Sequence, residues 1–376
     1  VIHAIGRHYL IHGDSLEVLP TFEADSVDAI VSDPPYGLGF MGNAWDQSVP
    51  CQRMASELFR VLKPGGHALL FGGTRTYHRL AVALEDAGFE IRDCLSWLYG
   101  TGFPKSLDVS KAIDDVEAAR QWEGWGTALK PAWEPILLTR KPLIGTVAEN
   151  VQAHGTGGIN VDACRIDGES TVRMNSPPVG YSDNNVSTNY QTGSNLGRWP
   201  ANVVLDEEAA AILDEQSGDL GKSTGTSAGT PGRPGILGRV AGDKRATGKN
   251  DSGGASRFFY VAKPSRAERD RGCDALPVRS GGEATDREDD SPGTQSPRAG
   301  SGRTGGARNI HPTVKPAALI AWLLKLVTLP GGVVLDPYCG SGTIYLAAEG
   351  LDLSVVGIER DPDYVEIALA RGATAV

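Results

Sequence analysis

The chain has 376 residues, 40% of them hydrophobic, which is long for one simple core and short for three domains. Its five cysteines (Cys51, Cys94, Cys164, Cys273 and Cys339) lie far apart with no C-x-x-C pair, which argues against a disulfide framework and against structural zinc. The net charge of −10 argues against a nucleic-acid partner only until its distribution is read: residues 222–308 carry 16 Lys and Arg against 10 Asp and Glu, a local net of +6.

In chain order, residues 1–145 read as α/β. Strands are expected at Tyr9–Ile11, Ala29–Ser32, His67–Phe71, Cys94–Leu98 and Ile136–Thr139, and helices at Gln52–Leu62 and Tyr77–Ala87. Leu62-Lys63-Pro64-Gly65-Gly66 reads as a helix-ending turn. The alternation of strands and helices suggests a parallel sheet. The opening segment, VIHAIGRHYLIHGD, lacks a signal-peptide layout, and no apolar run approaches the roughly 20 residues of a membrane span. A cytoplasmic protein without a membrane partner is expected.

Residues 146–308 are rich in Gly, Ser, Thr, Asn and Arg and show few periodic apolar faces. Two islands look ordered, Gly197–Leu205 and Arg257–Lys263, while 218–256 and 279–307 read as mobile loops. Residues 309–376 return to α/β: a helix over Pro316–Val327, a strand Val333–Leu335, a glycine turn, a helix from Thr343, a strand Ser354–Ile358 and a helix from Pro362.

The glycine turn is Asp336-Pro337-Tyr338-Cys339-Gly340-Ser341-Gly342-Thr343. Glycines between a strand and a helix let backbone approach a ligand, and Glu359 at the end of the next strand is placed to grip two ribose hydroxyls. The turn lacks the Lys-Ser/Thr of a P-loop, and Tyr345 stands where G-x-G-x-x-G has its third glycine. A nucleoside ligand without a pyrophosphate fits better than NAD or ATP, and S-adenosylmethionine is such a ligand.

Asp33-Pro34-Pro35-Tyr36 ends the strand that begins near Ala29. An exocyclic base amine is a poor nucleophile because its lone pair is delocalised into the ring. A carboxylate (Asp33) and a backbone carbonyl (Pro34) can accept both amine hydrogens, the prolines stiffen those acceptors, and Tyr36 offers a face for a flipped base. This chemistry requires no metal. Trp45-Asp46 reads equally as part of a lid over the base or as surface packing.

Together these motifs resemble the amino-group DNA methyltransferases, with DPPY and a D-P-x-C-G-S-G-T cofactor loop. Because DPPY comes first and the cofactor loop last, the chain is similar to the permuted β group, and its segments Gly102–Ser106 and Lys130–Ile136 resemble those of phage and prophage members. The resemblance covers about 210 residues at the two ends. It implies a doubly wound, Rossmann-like, circularly permuted α/β fold with a large irregular insert. Residues 1–145 would form the catalytic half, 146–308 the target-recognition insert, and 309–376 the cofactor-binding half, with the DPPY and cofactor-loop strands as neighbours.

The resemblance also implies cofactor contacts from Asp14, from His311, Thr313 and Lys315 of H-P-T-V-K-P, and from Asp336, Tyr338, Gly340, Ser341, Gly342, Thr343 and Glu359. Thr313 and Lys315 are expected at the methionine end of the cofactor, and Asp14 near its adenine. One departure is Pro337-Tyr338 where many relatives carry D-P-F. The cofactor implied is S-adenosyl-L-methionine, and the reaction is transfer to adenine N6 in duplex DNA. Cytosine N4 is the nearest alternative, since serine at the first motif position leans toward cytosine and aspartate toward adenine. RNA or protein-amide methylation, and a non-catalytic DNA-binding scaffold, are the others.

The basic middle would lie over the duplex, with Arg198, Arg257, Lys263 and Arg266 as candidate contacts beside aromatic residues. Relatives often pair as dimers, so a homodimer is a further expectation, and any restriction endonuclease partner would be a separate protein.

Overall fold

Along one strand near the N-terminus, Ala29 and Val31 face one way and Ile30 the other, and all three are buried. A strand covered on both faces belongs in the middle of a sheet with helices on either side. The computed structural model places it there. The structure describes residues 1–38, 46, 49–100, 102, 106–168, 197–219, 221, 252–262, 268–280 and 306–375.

In chain order the strands are β1 (Ile2–Ile5), β2 (His8–His12), β3 (Val27–Ser32), β4 (Leu62–Phe71), β5 (Glu90–Leu98), β6 (Trp133–Arg140), β7 (Val203–Asp206), β8 (Tyr260–Ala262), β9 (Val333–Asp336) and β10 (Ser354–Glu359). The α-helices are α1 (Ser15–Val18), α2 (Gln52–Val61), α3 (Tyr77–Asp86), α4 (Val116–Arg120), α5 (Val147–His154), α6 (Glu207–Ser217), α7 (Ala317–Val327), α8 (Thr343–Ala348) and α9 (Pro362–Ala373).

The strands form one sheet in the order β1-β2-β10-β9-β3-β4-β6-β5-β7-β8. On one face, Val31, Leu69 and Phe71 pack against Leu319 and Leu323 of α7 and Ile344 of α8. On the other, Ile30 and Leu70 pack against Met54 and Leu58 of α2 and Leu80 and Leu84 of α3. Helices on both faces make this a doubly wound α/β fold, as expected. No helix among the described residues is long and apolar enough to cross a membrane.

The expectation of a parallel sheet needs correction. β6 runs antiparallel to both of its neighbours, β4 and β5, and β1 runs antiparallel to β2. An apolar run such as Ile136–Thr139 is equally buried in either direction, so its sequence carries no polarity signal. The turn expected at 62–66 is also absent as such. The chain leaves α2 at Val61 and enters β4 directly, with Leu62 paired to Val27 across a register shift. The glycine there serves a different need: Gly65 has φ +77°, and a Cβ would meet Asn150 at 2.3 Å.

Both middle islands are strands of the same sheet. β7 pairs parallel with β5, and β8 parallel with β7. Two middle helices, α5 and α6, were missing from the sequence reading. α5 opens on a reciprocal capping box between Thr146 and Glu149, and α6 on Asp206 capping Ala209 N. Of the stretches read as loops, residues 222–251 and 281–305 lie outside the described residues.

Candidate active site

β3 and β9 are parallel neighbours, with Ala29 opposite Val334 and Ile30 opposite Leu335. Their C-terminal tips therefore emerge side by side, bringing together motifs about 300 residues apart in sequence. The Ser32 hydroxyl donates to Asp336 Oδ1 at 2.6 Å, tying the two tips directly. In open α/β sheets, ligands bind at this carboxyl edge, where the strand order reverses.

The cofactor loop follows β9. Gly340 and Gly342 have φ of +52° and +72°, a region that favours glycine, and a Cβ on Gly340 would stand 2.7 Å from His311 Nε2. Glu359, at the end of β10, holds the loop from behind. Its Oε2 accepts from Gly340 N at 2.8 Å and its Oε1 from Asp361 N at 2.7 Å. Burial pushes the Glu359 pKa up, and those backbone donors hold part of the shift back. Each oxygen keeps a lone pair for a hydroxyl donor.

Ser341 and Thr343 line the cavity and also tie the loop to α9. Arg371 of α9, fully buried, donates from Nη1 to Ser341 O and Ser341 Oγ at 2.8 Å and to Thr343 Oγ1 at 3.0 Å. It also donates to Glu268 O at 3.3 Å. Arg371→Met leaves these acceptors buried without a donor, at about 1–3 kcal/mol each. The melting temperature is expected to fall by about 5–10 °C. An unchanged melting curve would contradict the role.

Asp336 accepts from both Ser32 Oγ and Tyr338 N on the same oxygen, Oδ1. Burial raises its pKa from 3.8 to about 7, against the pull of those two donors. The folded protein therefore binds a proton here that the unfolded chain has lost above pH 3.8, so stability from this group falls as pH rises from 3.8 toward about 7. Asp336→Asn, which cannot ionise, is expected to remove that part of the decline. The check is the melting temperature of both proteins across the interval; parallel curves would rule it out.

On the β3 side, four polar groups form one cluster. Lys315 Nζ lies 2.7 Å from Asp33 Oδ2 and 3.2 Å from Glu134 Oε2. The Tyr36 hydroxyl lies 2.8 Å from Asp33 Oδ1 and 3.0 Å from Glu134 Oε2. Burial and both carboxylates push the Tyr36 pKa well up, so it stays a phenol. Burial opposes the Lys315 charge, but Asp33 and Glu134 outweigh it and raise its pKa, so it stays an ammonium. The Tyr36 backbone is fixed in turn: its carbonyl accepts from Thr76 Oγ1 at 2.6 Å. Asp46 accepts from Gly37 N at 2.8 Å and Leu38 N at 3.3 Å, just after the motif.

Lys315 also meets the DPPY carboxylate, a partner the sequence did not suggest for it. His311 is half-buried against Gly340 and the Tyr364 ring, whose centroid is 4.6 Å away. Burial first, then Lys315, Arg269 and Arg371, lower its pKa to about 3, so it is neutral. Arg269 holds the segment through His311 O at 2.7 Å. Asp14 caps α1 by accepting from Leu16 N at 2.8 Å.

Arg198 and Arg257 lie together across the Phe258 ring. Arg198 donates to the carbonyls of Asp167 and Arg257, and Arg257 to those of Gly253 and Gly254. Lys263 and Arg266 lie outside the described residues, as does Trp45.

Asp14, Asp33, Pro34, Tyr36, Glu134, His311, Thr313, Lys315, Tyr338, Gly340 and Glu359 all line one cavity of about 1390 Å³. That exceeds the ~300–1,000 Å³ of a single small-ligand site and leaves room for two ligands. Sequence reasoning gave no site role to Glu134 or Arg371. Both had a visible signal: Glu134 is an acid inside the apolar run W-E-P-I-L-L, and Arg371 follows Ile367 and Ala368 at helical spacing on the apolar face of α9.

A family model described as DNA methylase (N6/N4) matches residues 27–370. Type II methyltransferase M.HindIII of Haemophilus influenzae is 28% identical over 198 residues, 40% of this chain and 64% of that protein. M.HpaI of Haemophilus parainfluenzae is 30% identical over 115 residues, 28% of this chain and 37% of its own. The chain thus spans under two thirds of these curated relatives. TTHA0409 of Thermus thermophilus, solved with S-adenosyl-L-methionine, is 16% identical with TM-score 0.43, covering 98% of this chain and 94% of that one.

This chain belongs to the N6/N4 DNA methylase family, whose cofactor is S-adenosyl-L-methionine. The residues present fit that group. The left-handed glycines keep a backbone cradle open beside His311, Glu359 retains lone pairs for hydroxyls, and the acidic wall suits a sulfonium cation.

Proposed function

We propose that this chain is a site-specific DNA methyltransferase acting on the exocyclic N6 of adenine in duplex DNA, with the target base turned out of the helix. The observation that carries the reading is the arrival of Asp33-Pro34-Pro35-Tyr36 beside the glycine loop and Glu359 in one cavity. Glu359 would hold the ribose, the Gly340–Gly342 backbone the body of the cofactor, Thr313 its methionine end and Asp14 the side of its adenine. Bound S-adenosyl-L-methionine supplies a methyl group on a positively charged sulfur.

The chain's own part is to hold and polarise the amine. Asp33 accepts one amine hydrogen and the Pro34 carbonyl the other, which draws the lone pair out of the ring and stabilises the positive charge that grows on nitrogen. The prolines keep both acceptors in place, so orientation supplies much of the rate. Aspartate at the first motif position favours adenine. Residues 1–145 and 309–376 would form the catalytic halves and 146–308 the target-recognition insert, with Lys263 and Arg266 contributing positive charge toward phosphates. Arg198 and Arg257, engaged on carbonyls, would shape that surface.

Product analysis tests the reading. The protein is incubated with unmethylated duplex DNA and S-adenosyl-L-methionine, and the nucleosides are identified by mass spectrometry. N6-methyladenine is expected. N4-methylcytosine would keep the chemistry and change the base. Cofactor binding without a methylated base would overturn the DNA reading in favour of RNA or protein amide, and no cofactor binding would favour a non-catalytic scaffold.

A further inference from the structure

Each oxygen of the acceptor that the reaction needs already carries one strong donor, with a lone pair left over. Asp33 Oδ2 holds Lys315 at 2.7 Å and Asp33 Oδ1 holds Tyr36 at 2.8 Å. An ammonium is a stronger donor than a base amine. If it stays on Asp33, it neutralises the carboxylate where positive charge must develop. The site contains a second seat. Glu134 Oε2 lies 3.2 Å from Lys315 Nζ and 3.0 Å from the Tyr36 hydroxyl. Lys315 stands over the rings of Phe71 and Tyr36, 5.1 and 5.4 Å from their centroids. Its head can pivot between the two carboxylates without backbone movement.

The placement of Glu134 supports such a role. It is the second residue of β6, opposite Trp97 of β5, and is followed by Pro135 and an apolar run. Strand packing does not call for an acid there. Two carboxylates, one ammonium and one phenol leave the cluster with a net charge of −1. Moving the ammonium to Glu134 concentrates that charge on Asp33.

We propose that Glu134 is a positioning residue that draws Lys315 and the Tyr36 hydroxyl toward itself as the target amine arrives, so that the Asp33 carboxylate meets the amine hydrogen with its charge unneutralised. This rests on the methyltransferase reading above. Glu134 does not touch the base; it acts through Lys315 and Tyr36.

The test is a binding comparison on the full chain without cofactor. Two duplexes carry the motif that the wild-type protein methylates: one with the natural target base, one with that base lacking its exocyclic amine. The ratio of the two affinities measures how much the amine contributes. In Glu134→Gln the ratio is expected to shift against the natural base by about tenfold, the worth of one hydrogen bond to a charged group. Glu134→Asp should stay near wild type. The double variant Glu134→Gln/Lys315→Met removes the competitor as well and should recover the wild-type ratio, which a purely structural counter-ion would not produce.

An unchanged ratio in a folded Glu134→Gln protein overturns the proposal. So does a double variant whose ratio stays shifted against the natural base relative to wild type, a comparison that also serves if the single variant does not fold. Wild-type methylation is the control: if it is present, such a result sinks this inference alone; if it is absent, both readings fall.

Discussion

Asp33→Ala is expected to lower the single-turnover rate of methyl transfer by about 10²–10³-fold or more, the usual cost of removing one preorganised electrostatic group. S-adenosyl-L-methionine affinity, measured by calorimetry, should stay within about twofold of wild type. The split follows from the geometry. Asp33 follows β3 and meets Lys315 and Tyr36, while the glycine loop is held by Glu359 and Arg371 from β10 and α9. Removing Asp33 does not strand Lys315, which keeps Glu134 at 3.2 Å. The ~3–5 kcal/mol cost of an orphaned buried charge is therefore avoided, and the fold should survive. Asp33→Asn keeps the shape and one acceptor but loses the charge. A rate near that of Asp33→Ala would mean the charge matters more than hydrogen-bond geometry. Loss of cofactor binding in Asp33→Ala would contradict the assigned division of labour.

The ends of the chain were legible because each local signal had one meaning. A glycine turn between a strand and a helix, an acid at the next strand's end and a proline-stiffened DPPY each demand a particular backbone, and β9, α8, β10 and β3 follow. Register across the sheet was not legible. The burial of Ile136–Leu138 is the same whether β6 runs up or down, so its antiparallel insertion between β4 and β5 came only from the structure. The site was half legible for a related reason. Motifs name the groups that meet ligands, whereas partners such as Arg371 and Glu134 are chosen by proximity after folding. Ser341 and Thr343 illustrate the limit. As hydroxyls in a cofactor loop they suggest ligand contacts, and both line the cavity, but their hold by an arginine about 30 residues later was not legible. Lys315 is the same lesson at the catalytic end: its motif pointed to the cofactor, and its nearest carboxylate is Asp33.

Glu359→Ala should produce the opposite pattern, weakening the cofactor first. Glu359 stands at the end of β10 and accepts one N–H on each oxygen, from Gly340 and Asp361. It thereby fixes the left-handed loop on one side and the start of α9 on the other, and its remaining lone pairs face the cavity. Alanine removes the hydroxyl acceptor and releases both backbone donors. Hydrogen bonds to a charged group are worth about 1.5–3 kcal/mol, so cofactor affinity is expected to fall about 10–100-fold. At saturating cofactor much of the transfer rate should return, because Asp33, Pro34 and Tyr36 are untouched. Glu359→Gln, which keeps one carbonyl acceptor, should lie between alanine and wild type. The decisive comparison sets cofactor affinity against single-turnover rate for Asp33→Ala and Glu359→Ala side by side. Opposite losses would separate amine polarisation from cofactor holding. Unchanged affinity in Glu359→Ala would remove the carboxylate from the cofactor site and leave it as a clamp on the glycine loop.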